Sequence, residues 1–227
     1  MEDNSALLLT IAVLGGTGKE GKGLAYRWAK AGYKVLIGSR SSERAVHTAS
    51  EIMELLEGSS SVVGASNLEA ADQADIVVVS VPYAAHRDTL ESVKDAMHGK
   101  LLIDVTVPLV PPKVTKVQMP PEGSAAQEAK AILGDDVQVA AAFQNTSYEL
   151  LLSDEAVECD VLVTGSSKDA RAETLTLVEA AGMIGWDAGP IENSVVVEGL
   201  TSVLININKK YGSTHAGIKI TGVSRDE

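Results

Sequence analysis

Near the start of the chain, Gly15-Gly16-Thr17-Gly18-Lys19-Glu20-Gly21 sets glycines at 16, 18 and 21 in the pattern G-x-G-x-x-G. This spacing can press backbone N–H groups against a phosphate, which a side chain would hold off. Gly16 permits the tight turn, Gly18 the approach of a pyrophosphate, and Gly21 the close packing of helix on strand. The helix N-terminus that follows offers free N–H groups and a partial positive charge. Thr17 adds a hydroxyl; Lys19 and Glu20 complete the turn. The pattern alone is weak and gains meaning only between a strand and a helix.

A second group follows at Gly38-Ser39-Arg40-Ser41-Ser42-Glu43-Arg44. Dinucleotide sites that take NAD usually carry an acid at the end of the second strand, for the ribose 2′-hydroxyl. Ser39 and Arg40 stand there instead. They suit a 2′-phosphate through charge-assisted hydrogen bonds, with Arg44 one helical turn further on. NADP(H) is therefore expected over NAD, with Glu43 pointing away and Ser41 or Ser42 capping the helix. A plain solvated basic turn is the competing reading.

The elements around these groups must form a strand–turn–helix frame. Leu8–Leu14 is apolar and branched, and a helix is expected over Lys19–Lys30. Further strands are expected at Tyr33–Ile37, Ser61–Ala65, Asp75–Val81 and Lys100–Val105, with helices at Ser42–Glu57 and Arg87–Met97. In the first of these helices Ala45, Ala49, Ile52, Met53 and Leu56 share a face. Alternation of this kind predicts right-handed βαβ units. The fold class is α/β, a Rossmann-type, doubly wound, mostly parallel sheet with a small carboxy-terminal α/β lobe. Residues 1–143 form the NADP-binding domain on this reading. Residues 144–227 form the lobe for the second substrate and dimerisation.

Ligands of open parallel sheets lie beyond the carboxyl ends of the strands. Ser80, Val81 and Pro82, and Val105 on the next strand, should therefore border the nicotinamide; simple strand termination by proline is the alternative. Thr106–Pro121 is proline-rich and aperiodic, a long loop with either a functional or a rigid connecting role. Beyond it come a helix at Ser124–Leu133, strands at Val137–Ala142 and Asp160–Thr164, and a helix at Lys168–Ala181 ending on Gly182. The longest helix is expected over Ile191–Tyr211. Its stripe of Val196, Leu200, Val203 and Ile207, with Val197 and Leu204 beside it, is broad for a surface helix. It fits packing on its own lobe or a dimer interface that also walls the cleft. Gly212–Gly217 would be a loop near the second substrate.

No catalytic constellation stands out. His47, His86, His98 and His215 are scattered without metal-ligand spacing and read as solvated, as does the Asp135-Asp136 pair. Cys159, in an apolar run, reads as a core residue. Hydride transfer between two bound cofactors needs placement more than acid–base groups. A carbonyl or imine reductase would need a proton donor; Tyr148 and His86 are the candidates.

The 227 residues are 45% hydrophobic and 22% charged, enough for a real core. A net charge of −12 argues against nucleic-acid binding. The acidic start, Met1-Glu2-Asp3-Asn4, lacks a secretory pattern, and no apolar run is long enough for a membrane span. The expected location is the cytoplasm and the expected partners are small molecules.

The Leu14–Gly18 turn with Gly21-Lys22-Gly23, the Gly38-Ser39-Arg40 and Val81-Pro82 strand ends, and Asp187-Ala188-Gly189-Pro190 occur together in one family. The sequence resembles the NADPH-dependent F420 reductases over nearly its whole length. The resemblance implies hydride transfer between NADP(H) and the deazaflavin coenzyme F420. It further implies a homodimer, NADP phosphate contacts at Thr17, Ser39, Arg40 and Arg44, and a deazaflavin stacked on the nicotinamide. One position departs: Gln144 stands where members commonly carry a histidine. Gln144 can hydrogen-bond but cannot titrate, so its expected role is positioning only. The departure leaves room for another acceptor (a flavin, a ferric chelate, an imine or carbonyl compound) or for a non-enzymatic NADP sensor.

Overall fold

The Val- and Ile-rich runs of the first half become strands covered on both faces, as their continuous apolar character requires. The computed structural model describes residues 9–58, 60–152 and 156–223. The acidic start and Leu8 lie outside these. Strands β1 (Thr10–Leu14), β2 (Lys34–Ser39), β3 (Val62–Ser66), β4 (Ile76–Val79), β5 (Leu101–Asp104) and β6 (Gln138–Ala141) are mutually parallel. Then β7 (Asp160–Gly165) pairs antiparallel with β6, and β8 (Ile184–Pro190) pairs parallel with β7. The sheet order is β3-β2-β1-β4-β5-β6-β7-β8. The chain reverses between β1 and β4, and that is the switch point at which such sheets bind ligands. The expected doubly wound α/β fold is therefore present. The sheet runs on through the segment after residue 143.

Helices α1 (Lys19–Lys30), α2 (Ser42–Leu55), α3 (Asn67–Gln73), α4 (His86–Val93), α5 (Ala125–Leu133), α6 (Lys168–Ala180) and α7 (Ser194–Tyr211) complete the chain. Two hydrophobic clusters lie on the two faces of the sheet: Ile11, Val13 and Trp28 belong to one, and Ala12, Leu14 and Leu90 to the other. No described helix is long and apolar enough to cross a membrane.

Several expectations are corrected. Met53 was placed on the apolar face of α2 but is 36% exposed, because that face is already filled by Ala45, Ala49 and Ile52. The helix expected at Arg87–Met97 is α4 followed by a 3₁₀ turn at Lys94–Met97. Two elements went unforeseen. Helix α3 is short, and its signature is the capping box of Ser66 and Glu69. Strand β8 lies at the sheet edge and buries little, so it lacks an apolar run.

On helix α7 the first of the two expected facings is not the one found. Val196 and Val203 are exposed, and Ile207 and Leu200 are not buried, so the stripe does not pack on its own lobe. The buried positions include Ser194, Val197, Glu198, Ser202 and Leu204. The polar ones are held inside by partners. Ser194 hydrogen-bonds to Thr164, and Glu198 caps another helix. Cys159 is buried, as expected.

Candidate cofactor and substrate site

The β1–α1 turn is built from backbone. Gly16 N–H donates to Val13 O (3.1 Å) and Gly18 N–H to Gly15 O (2.9 Å). The left-handed residue is Gly15, at φ 73°. Gly16 is needed for smallness, since a Cβ there would lie 2.7 Å from Val13 O. A Cβ on Gly21 would strike Ser80 Oγ and lie 2.9 Å from Gly16 Cα. Helix α1 begins after Gly18 with no side-chain cap, leaving its first-turn N–H groups for an anion.

Three chambers open from this turn, one of them, of about 400 Å³, running past Lys22, Thr48 and Glu51. A hollow of about 410 Å³ gathers Gly15, Thr17, Ser39, Arg40, Arg44 and Asn67. A cleft of about 610 Å³ lies on the other side. Gly18, Ser80, Val81 and Pro82 line both, so a ligand can run from one to the other past the glycine turn.

In the hollow, Ser41 caps α2, its Oγ accepting from Arg44 N–H at 3.3 Å. Ser39 Oγ accepts from Ser41 N–H at 3.2 Å. The Arg40 and Arg44 side chains are exposed, and neither forms an ion pair among the described residues. Glu43 does not line the hollow. Asn67 was not foreseen: it is buried, lines the hollow, and its Oδ1 has no hydrogen-bond partner. The capping box just before it was the one available signal. Gly16 lines neither the hollow nor the cleft and acts beneath the turn.

The cleft draws on segments far apart in the chain. Val81, Pro82 and Val105 come from the strand ends, Lys19 and Glu20 from α1, Gln144–Tyr148 from the loop after β6, and Thr201, Leu204, Ile205 and Asn208 from α7. Thr214 and Ala216 close it, and part of the proline-rich loop (Leu109, Pro111, Val114) forms another wall. Gln144 Nε2 donates to Asp104 O (2.8 Å) and Asn145 Nδ2 to Val197 O (2.9 Å). The side-chain carbonyl oxygens of Gln144 and Asn145 are buried without partners. Such acceptors suit the amide or imide N–H groups of a nicotinamide or deazaflavin ring. Tyr148 lies at the cleft, its hydroxyl accepting from Lys19 Nζ at 3.3 Å.

His86 is not solvated. It is fully buried behind the cleft wall, with Nε2 2.7 Å from Asp104 Oδ2, and does not line the cleft. Burial disfavours its charged form. Asp104, by charge and hydrogen bond, outweighs burial, so the imidazole pKa stands above its ordinary value. His47, His98 and His215 are exposed. The His86–Asp104 pairing, 18 residues apart, has no local sequence signature.

Glu198, also fully buried, caps α5: its oxygens accept from Ala125 N–H (2.7 Å) and Ala126 N–H (3.1 Å). Burial first, and then the charge of Asp104, push its carboxyl up to about 8 from an ordinary 4.5. The unfolded chain ionises this group at lower pH than the folded one. Stability is therefore lost as pH rises from about 4.5 to about 8. Glu198→Gln should flatten that loss when urea unfolding is followed at about pH 5 and pH 8. An unchanged slope would show that Glu198 ionises normally.

An open α/β sheet with a glycine turn at its switch point, a serine–arginine hollow and an adjoining cleft defines a Rossmann-type, NADP-binding oxidoreductase. The family model for coenzyme F420-dependent NADP oxidoreductases matches residues 10–108. The chain is 43% identical over 223 residues to the F420-dependent NADP reductase of Methanothermobacter marburgensis, across 95% of this chain and 99% of that one. The chain belongs to the family of F420-dependent NADP reductases. It is also 36% identical to the Methanocaldococcus jannaschii F420-dependent NADP reductase, across 95% and 99% of the two chains. A crystal structure from Arthrobacter sp. FB24 shares the fold, with TM-score 0.79 and 24% identity over 94% of this chain and all of that one.

Proposed function

We infer that the protein transfers a hydride between NADP(H) and coenzyme F420. The observation that carries this reading is the pair of chambers joined past the glycine turn, one armed with Ser39, Arg40 and Arg44. NADP(H) supplies or takes the hydride, and the deazaflavin is its counterpart. The chain's own residues bind and orient. The α1 N-terminus takes the pyrophosphate, the two arginines the 2′-phosphate. Ser80, Val81, Pro82 and Val105 flank the nicotinamide. The free acceptors of Gln144 and Asn145 meet ring amides, and Leu204 and Ile205 help exclude water.

Gln144 cannot move a proton, so it orients and does not catalyse. The reading includes a cytoplasmic location and a homodimer built on the exposed Val196, Val203 and Ile207 face of α7. In the test, purified protein with NADPH should bleach the visible band of oxidised F420. Flavins, ferric chelates and imines serve as parallel acceptors. NADPH oxidation by one of these, with F420 inert, would overturn the acceptor assignment.

A further inference from the structure

Among the residues lining the cleft, Glu20 is the one carboxylic acid. It lines the cleft but not the hollow, although its neighbour Gly18 lines both. Glu20 therefore faces the cleft, the chamber that the proposed reading gives to the nicotinamide and that Ser80, Val81 and Pro82 also line. It is half-buried and has no hydrogen-bond partner among the described residues. Beyond its place in the first turn of α1, the acid makes no bond within the fold, and it would repel a pyrophosphate.

The other ionisable groups at this wall are already engaged. Lys19, on the same helix, bonds to the Tyr148 hydroxyl and lies 4.7 Å from the centre of its ring. The Tyr83 hydroxyl donates to Glu128 at 2.6 Å. His86 and Asp104 are buried behind the wall and bonded to each other. Lys22, further along α1, pairs with Glu51 of α2.

We propose that Glu20 is the electrostatic partner of the nicotinamide ring, ionised when the ring is oxidised and cationic, and protonated when the ring is reduced and neutral. The proposal rests on the NADP reading and extends it. When a hydride, two electrons and a proton, leaves the ring for the acceptor, the ring passes from neutral to +1. Glu20 passes from neutral to −1 and releases its proton to solvent; in the reverse direction it takes that proton back. The net charge at the cleft wall stays constant, which matters because unpaired charge is costly away from water. Burial supports this by pushing the Glu20 carboxyl up to about 8, so that the empty site holds it mostly protonated near neutral pH. The free N–H groups of the α1 first turn favour the carboxylate; a bound pyrophosphate opposes it.

Calorimetry tests this without any acceptor. NADP⁺ and NADPH are titrated into the protein at about pH 7 in buffers of different ionisation enthalpy. NADP⁺ should release over half a proton more than NADPH; protons linked to the shared 2′-phosphate cancel in the difference. The difference should vanish at about pH 9.5, where Glu20 is already ionised. Over about pH 7 to 9 the affinity for NADP⁺ should rise about tenfold relative to NADPH. Glu20→Gln should abolish both effects while binding NADPH within about threefold of wild type. Equal proton release by the two nucleotides in the wild type would overturn the proposal, whether or not the variant folds. So would a difference that survives in Glu20→Gln. If neither nucleotide binds the wild type, the NADP reading falls and takes this proposal with it.

Discussion

Replacing Arg40 with aspartate should weaken NADPH binding on the order of a hundredfold and leave NADH within about threefold. Arg40 and Ser39 line the hollow with Arg44, and neither arginine is tied up in an ion pair among the described residues. A charge-assisted contact to the 2′-phosphate contributes about 2 kcal/mol at this exposed position, towards the low end for such bonds. Placing a carboxylate beside the phosphate adds roughly 1 kcal/mol of repulsion. The two together approach 3 kcal/mol, and each factor of ten is about 1.4 kcal/mol. NADH lacks that phosphate, so it should be almost indifferent. Fluorescence titration of both nucleotides against wild type and Arg40→Asp gives the comparison. Equal losses for NADPH and NADH would show that Arg40 does not read the phosphate.

Replacing Asp104 with alanine should destabilise the protein by about 3–5 kcal/mol and lower the Tm by about 10 °C or more. Asp104 and His86 are both fully buried, and the bond between them is 2.7 Å. The other Asp104 oxygen accepts from Thr106 N–H at 2.9 Å. Loss of the carboxylate strands two buried groups, the imidazole and the Thr106 N–H. Replacing both partners with leucine should recover most of the stability, since apolar packing of similar volume avoids the desolvation of two charges. The pH dependence carries a sign. The folded His86 pKa lies above its unfolded value. Its contribution is therefore complete below about pH 6.5 and fades as pH rises through the raised folded value. The penalty of Asp104→Ala should be larger at about pH 6 than at about pH 9. A penalty independent of pH would mean that the pair holds no charge on His86. Because Thr106 lines the cleft and its N–H donates to the Asp104 carboxylate, the variant should also loosen the cleft wall.

The frame of the glycine turn and of the serine–arginine hollow was legible in the order of residues. Residues 10–44 hold a strand, a glycine turn, a helix, a second strand, and the serine and arginines at its end. Each of those features depends on neighbours a few positions away: apolar runs, glycine spacing and a serine cap act over about one turn or one strand. The doubly wound, mostly parallel sheet followed from the same alternation, and the structure places its reversal between β1 and β4.

What only the tertiary structure decided is the cleft and the charges behind it. Its walls come from positions as far apart as Lys19 and Ala216, and no local rule states which of them meet. His86 reads as a surface helix residue until Asp104 is seen beneath it. Helix α7 is the clearest case. Its apolar stripe fitted either an inward face or an exposed one, and Glu198 turns inward to satisfy the N–H groups of Ala125 and Ala126, 73 and 72 residues away. A helix has one rotation about its axis. When a buried backbone elsewhere needs an acceptor, that demand can set the rotation against the hydrophobic pattern, and only the assembled fold contains the demand.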